Sequence, residues 1–226
     1  MPTLLLLRHG EIPQTTPRRF VGQRDLPLST DGQRQAKSWR APLATVNLQG
    51  VWTSDLARCD QTARLALGGT GPTPTPLPAL REISLGVWEG LSEAEVEERF
   101  PGEQGLRRAD LAHVAPTGGE SFARLRDRVW PAVLDILARA DEAAGPLLVV
   151  AHAGVNRALI CQALGMPLSR VFSLGQNYAS LSVLRFVPGR LAELSALNIP
   201  SRAAAPILRQ FGLRPDADAR VRAAQS

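Results

Sequence analysis

Unbroken apolar runs alternate with amphipathic stretches along this 226-residue chain, and the alternation predicts its architecture. Leu4-Leu5-Leu6-Leu7 and Leu147-Leu148-Val149-Val150-Ala151 are apolar at every position, the pattern of strands buried on both faces of a parallel sheet. Val51-Trp52-Thr53 is a shorter strand, and another is expected near 77–80, after the proline-rich connection 70–78. A long polar loop runs from the first strand to Pro27, and loops of that length in compact domains are usually functional. Ser29 or Thr30 can cap a helix reaching about Pro42, and a second helix over about 56–67 stops at Gly68-Gly69. Ser92-Glu93-Ala94-Glu95 is a capping box for a short helix ending before Pro101. Residues 102–118 read as irregular or weakly helical. Gly119-Glu120-Ser121 then opens a long amphipathic helix to about Ala144, with a bend at Pro131. One more helix runs from His152 to about Leu164, and Ala179–Phe186 with Arg190–Leu197 form a hairpin around Pro188-Gly189.

Strands alternating with helices imply an α/β fold with a mainly parallel central sheet covered by helices. No repeat or linker divides the chain. One domain is read over residues 1–202, followed by a C-terminal extension, 203–226, whose mixed signals assign it no role.

Composition narrows the class. A hydrophobic content of 44% supports a sizeable core, and the four-leucine run is too short for a signal sequence or a membrane span. A cytoplasmic protein without membrane partners is expected. The net charge of +5 could suggest an anionic partner, yet Lys37 is the only lysine and the arginines are interspersed with acids. With aromatics at 5%, base-stacking platforms are lacking and nucleic acid is not expected as a partner. Cys59 and Cys161 lack metal or redox spacing and read as buried free thiols.

The chemistry gathers at strand ends. Arg8-His9-Gly10-Glu11 follows the first strand, at the carboxyl edge where open α/β sheets place ligands. Arg presents a planar fork of donors to phosphate oxygens, His a nitrogen that can attack phosphorus, and Gly a close backbone approach. His152 follows the 147–151 strand in the same way, so neighbouring parallel strands would bring both histidines to one cleft. Arg58 falls in the first turn of a helix, where the dipole disfavours cations, and a bound phosphate would account for it. A glutamate beside a phosphate and apolar neighbours can hold a proton near neutrality and serve as general acid. On local grounds either Glu82 or Glu89 fits. His113 lies in the irregular insert with no assigned role.

Taken in order, six blocks resemble the histidine phosphatase superfamily, also called phosphoglycerate-mutase-like. They are Arg8–Glu11, Gly22–Ser29 with Gly32, Ser54–Ala63, Leu80–Gly90, Gly118–Ser121 and His152–Arg157, and together they span roughly residues 3–186. The resemblance implies a three-layer α/β/α sandwich and a transiently phosphorylated His9. It also implies phosphoryl binding by Arg8, Arg58 and His152, with Glu82 rather than Glu89 as proton donor and acceptor. Gly22, Gln23 and Ala153 match substrate-binding positions. No cofactor or metal is implied, and the chain has no metal-ligand spacing such as His-x-x-x-His or Cys-x-x-Cys.

Departures from the pattern concern the substrate. Many members carry Ser or Thr after the first Glu and an Asn a few residues later, whereas this chain has Ile12 and no Asn before Gln23. Val21-Gly22 stands where mutases have a hydroxyl residue before the glycine. Only 37 residues separate Glu82 from Glu120, with Arg99, Arg107 and Arg108 as the basic content, short of a mutase insert. Whether Arg107 and Arg108 reach the substrate is open at this level. The expected activity is a phosphomonoesterase acting on a small phosphate ester, with α-ribazole 5′-phosphate as a candidate. A cofactor-dependent phosphoglycerate mutase and a non-catalytic phospho-ligand-binding protein are the alternatives. The chain could act as a monomer or a homodimer.

Overall fold

In the computed structural model the described residues are 2–141, 145–187, 189 and 191–211. A six-stranded sheet forms the middle layer, in the order β3-β2-β4-β1-β5-β6. Its strands are β1 (Thr3–Arg8), β2 (Gly50–Thr53), β3 (Thr75–Pro76), β4 (Leu147–Ala151), β5 (Leu181–Arg185) and β6 (Glu193–Ile199). β1 and β4 pair in parallel with Arg8 opposite Ala151, and β2 joins β4 in parallel with Thr53 opposite Val150. Three strands therefore end in line. β5 is antiparallel to both β1 and β6 and is the one strand running against the others.

The leucine run is apolar throughout because both faces are covered. Leu4 and Leu6 join one core cluster with Leu147, Val149, Leu125 and Leu159. Leu5 and Leu7 enter the other with Leu148, Val150, Trp39 and Ala63. Side chains alternate across a strand, so consecutive leucines feed opposite layers. Helices α6 (Phe122–Leu137) and α7 (Ala153–Leu164) supply the first layer. Helices α1 (Thr30–Lys37), α2 (Arg40–Ala44) and α3 (Ala57–Leu67) supply the second. The result is an α/β/α sandwich, as the resemblance implies.

Several boundaries differ from those read along the chain. The helix expected to reach Pro42 is two helices, with Ser29 as the cap that accepts from the Gly32 amide and Ser38 closing α1. The strand expected near 77–80 is instead a 3₁₀ turn at Pro78–Leu80, and the paired residues are Thr75 and Pro76 opposite Trp52 and Thr53. Proline lacks the N–H that would continue a ladder past Leu77. The capping box opens α4 (Glu93–Arg99) as expected, but residues Glu103–Ala109 form a regular helix, α5. Helix α6 ends at Leu137 with Pro131 inside it, short of Ala144, which lies with 142 and 143 outside the described residues. The hairpin of β5 and β6 forms, while Pro188 at its turn lies outside them too.

Past residue 203, helix α8 (Ala205–Leu208) keeps packing, with Ala204 and Leu208 fully buried in the cluster that holds Leu5. The core thus runs through the boundary drawn at 202; residues 212–226 lie outside the described residues. None of the described helices is long and apolar enough to cross a membrane.

Candidate active site

The aligned ends of β1, β4 and β2 bring His9, His152 and Arg58 together. His9 extends the ladder by one bond, its amide donating to the Ala151 carbonyl at 2.9 Å. The His9 and His152 rings lie 5.1 Å apart, edge to face. Both are buried, at 4% and 0% exposure. Gly10 keeps the following turn tight: its amide donates to Thr62 Oγ1, and a Cβ there would fall 2.4 Å from the Gly32 carbonyl oxygen.

Hydrogen bonding sets the two tautomers. His9 Nδ1 lies 2.7 Å from the Gly10 carbonyl oxygen, which can only accept, so Nδ1 carries the proton. That leaves Nε2 of neutral His9 with a free lone pair. His152 Nδ1 accepts from Arg58 Nε at 3.2 Å, so its proton sits on Nε2. One ring is an available nucleophile and the other a donor.

Electrostatics hold both rings neutral. Burial pushes the His9 pKa well below the ordinary value, with the charges of Arg8 and Arg58 adding to it. Burial likewise lowers His152, followed by Arg58, His9, Arg8 and Arg128. The unfolded chain therefore takes up protons below about pH 6.5 that the native state refuses. Stability is full above that value and falls as the pH drops toward the depressed native pKa values. Melting temperatures measured from pH 7.5 down to 5 should fall, and His9→Asn should make the fall shallower.

Arg58 is 1% exposed. Asp55 pairs with Arg81 and Asp60 with Arg64, so neither neutralises it. Its guanidinium donates to the Arg24 carbonyl at 2.7 Å, the Gly22 carbonyl at 2.8 Å and His152 Nδ1. Two of five N–H groups remain for a ligand. Arg8 is similar. It donates to the Gln176 carbonyl at 2.5 Å, and its Nε is buried with no hydrogen bond. Burial lowers its pKa, opposed by Tyr178 and Glu82.

The structure separates the two glutamates. Glu82 Oε2 accepts from the Gly154 amide at the start of α7 at 3.1 Å, and Oε1 accepts from the Ile83 amide. Burial lowers the pKa of Arg8, Arg107 and Arg157, and the negative charge of Glu82 opposes that in each. Glu89 faces the loop instead, where Oε1 accepts from the Gln23 and Leu85 amides at 2.9 and 3.0 Å. Gly22, at φ +54°, lies so close that a Cβ would fall 2.1 Å from that oxygen. Gly22 and Gln23 thus brace the site: the Gly22 carbonyl holds Arg58, and Gln23 Nε2 donates to the Glu82 carbonyl at 3.0 Å. Ala153 opens α7 half-buried beside His152.

A Cβ on Gly154 would meet Glu82 Oε1 at 2.4 Å. Gly154→Ala is therefore expected to displace the carboxylate and leave the fold intact, because the obstructing atom is the end of a flexible side chain. Turnover should fall by roughly tenfold to a hundredfold, the cost of misplacing a reacting group by about 1 Å. The melting temperature should shift little.

Arg128 was not legible in the sequence. It forks onto Glu120 with two bonds of 2.7 Å and also donates to the carbonyls of Ala79, Arg81 and Glu82. Glu120 in turn accepts from the Ser84 amide. The Gly118–Ser121 block therefore anchors the loop carrying Glu82. Cys59 and Cys161 are buried free thiols, and burial pushes both upward in pKa. Cys59 Sγ also packs 3.4 Å from His152 Nε2. His113 is exposed and pairs with Asp110. Arg108 is exposed and pairs with Glu93, whereas Arg107 turns inward over the Trp88 and Phe122 rings at 5.8 Å.

A sandwich with two neutral histidines, a buried and a half-buried arginine and a carboxylate at the strand ends defines a phosphatase-type pocket. Residues 4–199 match the histidine phosphatase superfamily (branch 1), and the chain belongs to that family. It is a phosphoric monoester hydrolase. Glucosyl-3-phosphoglycerate phosphatase of Mycolicibacterium vanbaalenii is 36% identical over 178 residues, 76% of this chain and 78% of that protein. Adenosylcobalamin/alpha-ribazole phosphatase of Salmonella typhimurium is 30% identical over 195 residues, 86% of this chain and 95% of that one. Among solved structures, mycobacterial glucosyl-3-phosphoglycerate phosphatase in complex with inorganic phosphate superposes with a TM-score of 0.79. It is 31% identical, and the match covers 90% of this chain and 100% of that one.

Proposed function

We propose that this chain is a metal-independent phosphomonoesterase working through a phosphohistidine. His9 Nε2 attacks phosphorus while the bond to the leaving oxygen breaks and Glu82 gives that oxygen its proton. Water then attacks the phosphohistidine, Glu82 takes the water's proton, and the P–N bond breaks to give inorganic phosphate and neutral His9. Arg8, Arg58 and the His152 Nε2–H neutralise the phosphoryl oxygens, which is the electrostatic work of phosphoryl transfer. One observation carries this reading: the ring of His9, with its Nε2 lone pair free, lies 5.1 Å from the neutral His152 ring, beside a buried Arg58 and a half-buried Arg8 that form no ion pair among the described residues.

The leaving group is a small organic residue, with α-ribazole 5′-phosphate and a phosphoglycerate ester as the candidates that the similar proteins suggest. Arg107, over the Trp88 and Phe122 rings, and Arg157, over the Phe172 ring, are half-buried and without a carboxylate partner among the described residues, and they favour the ester with a second acidic group. Purified protein should hydrolyse p-nitrophenyl phosphate in the presence of EDTA; complete inhibition by the chelator contradicts the mechanism. In a screen of matched esters, phosphoglycerate esters should exceed α-ribazole 5′-phosphate in kcat/KM. Conversion of 3- to 2-phosphoglycerate dependent on a bisphosphate primer supports the mutase alternative. Tight ester binding without turnover supports a non-catalytic binding protein.

A further inference from the structure

The segment between the 3₁₀ turn at Leu168–Ser173 and β5 makes more contacts with the site than its sequence suggests. Arg8 donates its amide to the Ser180 carbonyl, and Ala179 donates its amide to the His9 carbonyl, so residues 179–180 are tied to both. The Gln176 carbonyl holds one edge of the Arg8 guanidinium. Tyr178, the only tyrosine in the chain, covers a face of it: the guanidinium carbon lies 3.9 Å from the ring centroid. The same ring leans on His9 at 5.6 Å. From the opposite loop, Gln14 Nε2 donates to the Tyr178 hydroxyl at 3.2 Å and to the Ile12 carbonyl at 3.0 Å.

The backbone beside Tyr178 is strained to achieve this. Ala179 has φ +50°, a conformation that L-residues other than asparagine and aspartate seldom adopt. Its neighbours hold it there. Besides the bond to His9, its carbonyl accepts from the buried Trp39 indole at 2.8 Å. Strain retained at the edge of a reaction pocket points to a side chain whose placement matters.

We propose that Tyr178 is a positioning residue for phosphoryl transfer. Its ring fixes the plane of the Arg8 guanidinium, so that the unbonded Nε edge meets the phosphoryl oxygens without first being ordered. Arg8 has no carboxylate among the described residues to do this; the Gln176 carbonyl holds only one of its nitrogens. An arginine on an aromatic face is restricted to sliding in one plane, and the contact strengthens as water is excluded. The Gln14 bond keeps the ring from swinging out. This inference rests on Arg8 being a phosphoryl ligand.

The test compares Tyr178→Phe with Tyr178→Leu, reading kcat and KM for p-nitrophenyl phosphate and the competitive inhibition constant of inorganic phosphate. Leucine keeps apolar bulk but removes the aromatic face, and should raise both KM and the phosphate inhibition constant about tenfold. Phenylalanine keeps the face and should stay within about twofold of the parent protein, since it loses only the bond to Gln14. A Tyr178→Leu protein with unchanged phosphate inhibition, or a Tyr178→Phe protein equally impaired, overturns the proposal. The unmodified protein gives a second measurement that does not depend on a variant folding. Nitration of its single tyrosine by tetranitromethane should slow when inorganic phosphate occupies the pocket; equal rates with and without saturating phosphate overturn the proposal as well. Arg8→Met in the same assays separates the two levels. If it leaves phosphate inhibition unchanged, the reading of the pocket fails; if it weakens inhibition and Tyr178→Leu does not, only the role of Tyr178 fails.

Discussion

His9→Ala is expected to lower kcat for p-nitrophenyl phosphate by at least about a thousandfold and to abolish incorporation of acid-labile phosphate. Removing a nucleophile eliminates the covalent route, and the remaining residues can only bind and polarise the ester. Fold stability should survive, because the ring's one hydrogen bond is local, to the Gly10 carbonyl. The variant should also lose some of the acid sensitivity of the native protein, since a buried neutral histidine opposes folding as the pH falls below about 6.5. Rapid-quench labelling with a radioactive ester, followed by acid and base treatment of the protein, provides the measurement. Retention of parent-level turnover, or an acid-stable phosphoprotein, removes His9 from the mechanism.

Glu82→Gln is expected to separate the two halves of the reaction. An alkyl phosphate needs its leaving oxygen protonated, so turnover of such esters should fall by roughly 10²–10⁴-fold, the usual range for losing a general acid. p-Nitrophenolate leaves with little assistance, so the first step should stay fast while hydrolysis of the phosphohistidine slows for want of a base. The stopped-flow trace should then show a burst of p-nitrophenol followed by slow turnover. Equal slowing of both esters with no burst argues against Glu82. Glu89→Gln gives the contrast: its oxygen accepts two loop amides, so its loss should lower the melting temperature more than it changes the dependence on leaving group.

Much of the site could be read along the chain because it is made of strand ends. An all-apolar run announces a buried strand, and the residues after it reach the carboxyl edge of the sheet whatever the helices do. Arg8, His9 and His152 were legible for that reason, and Arg58 because a cation in a helix's first turn requires an explanation. The choice between Glu82 and Glu89 was not legible from local chemistry. Both lie in one glycine-rich loop, and only the folded chain shows one carboxylate at the N-terminus of α7 and the other bound to loop amides. Arg128 and Tyr178 carried no signal at all. An arginine on an amphipathic helix and a lone tyrosine in a loop look like ordinary surface residues until their partners arrive from remote segments.

The missed boundaries have a similar origin. The short edge strand was expected near 77–80, and the residues that pair with Trp52 and Thr53 are Thr75 and Pro76, inside the proline-rich connection. α5 formed where the pattern read as irregular or weakly helical, with Arg108 paired to Glu93 and Glu103 accepting from the Trp88 indole at 2.9 Å. Local propensity there is weak, and tertiary partners decide.

By itself, then, the sequence determined the layered α/β plan, its two buried strands and the candidate site residues at their ends. Each of these follows from local patterns: apolar periodicity, capping and the direction a strand delivers its last residue. Tertiary structure decided the pairing of those strands, the tautomers of the two histidines, the different surroundings of Glu82 and Glu89, and the stacking of Arg8 on Tyr178. Apart from the His9 tautomer, which the neighbouring Gly10 carbonyl sets, these depend on atoms that meet across long stretches of chain, such as Arg58 on His152, Gly154 on Glu82 and Arg8 on Tyr178. Hydrogen bonding and the exclusion of water are settled at ångström distances, and only the packed molecule sets those distances.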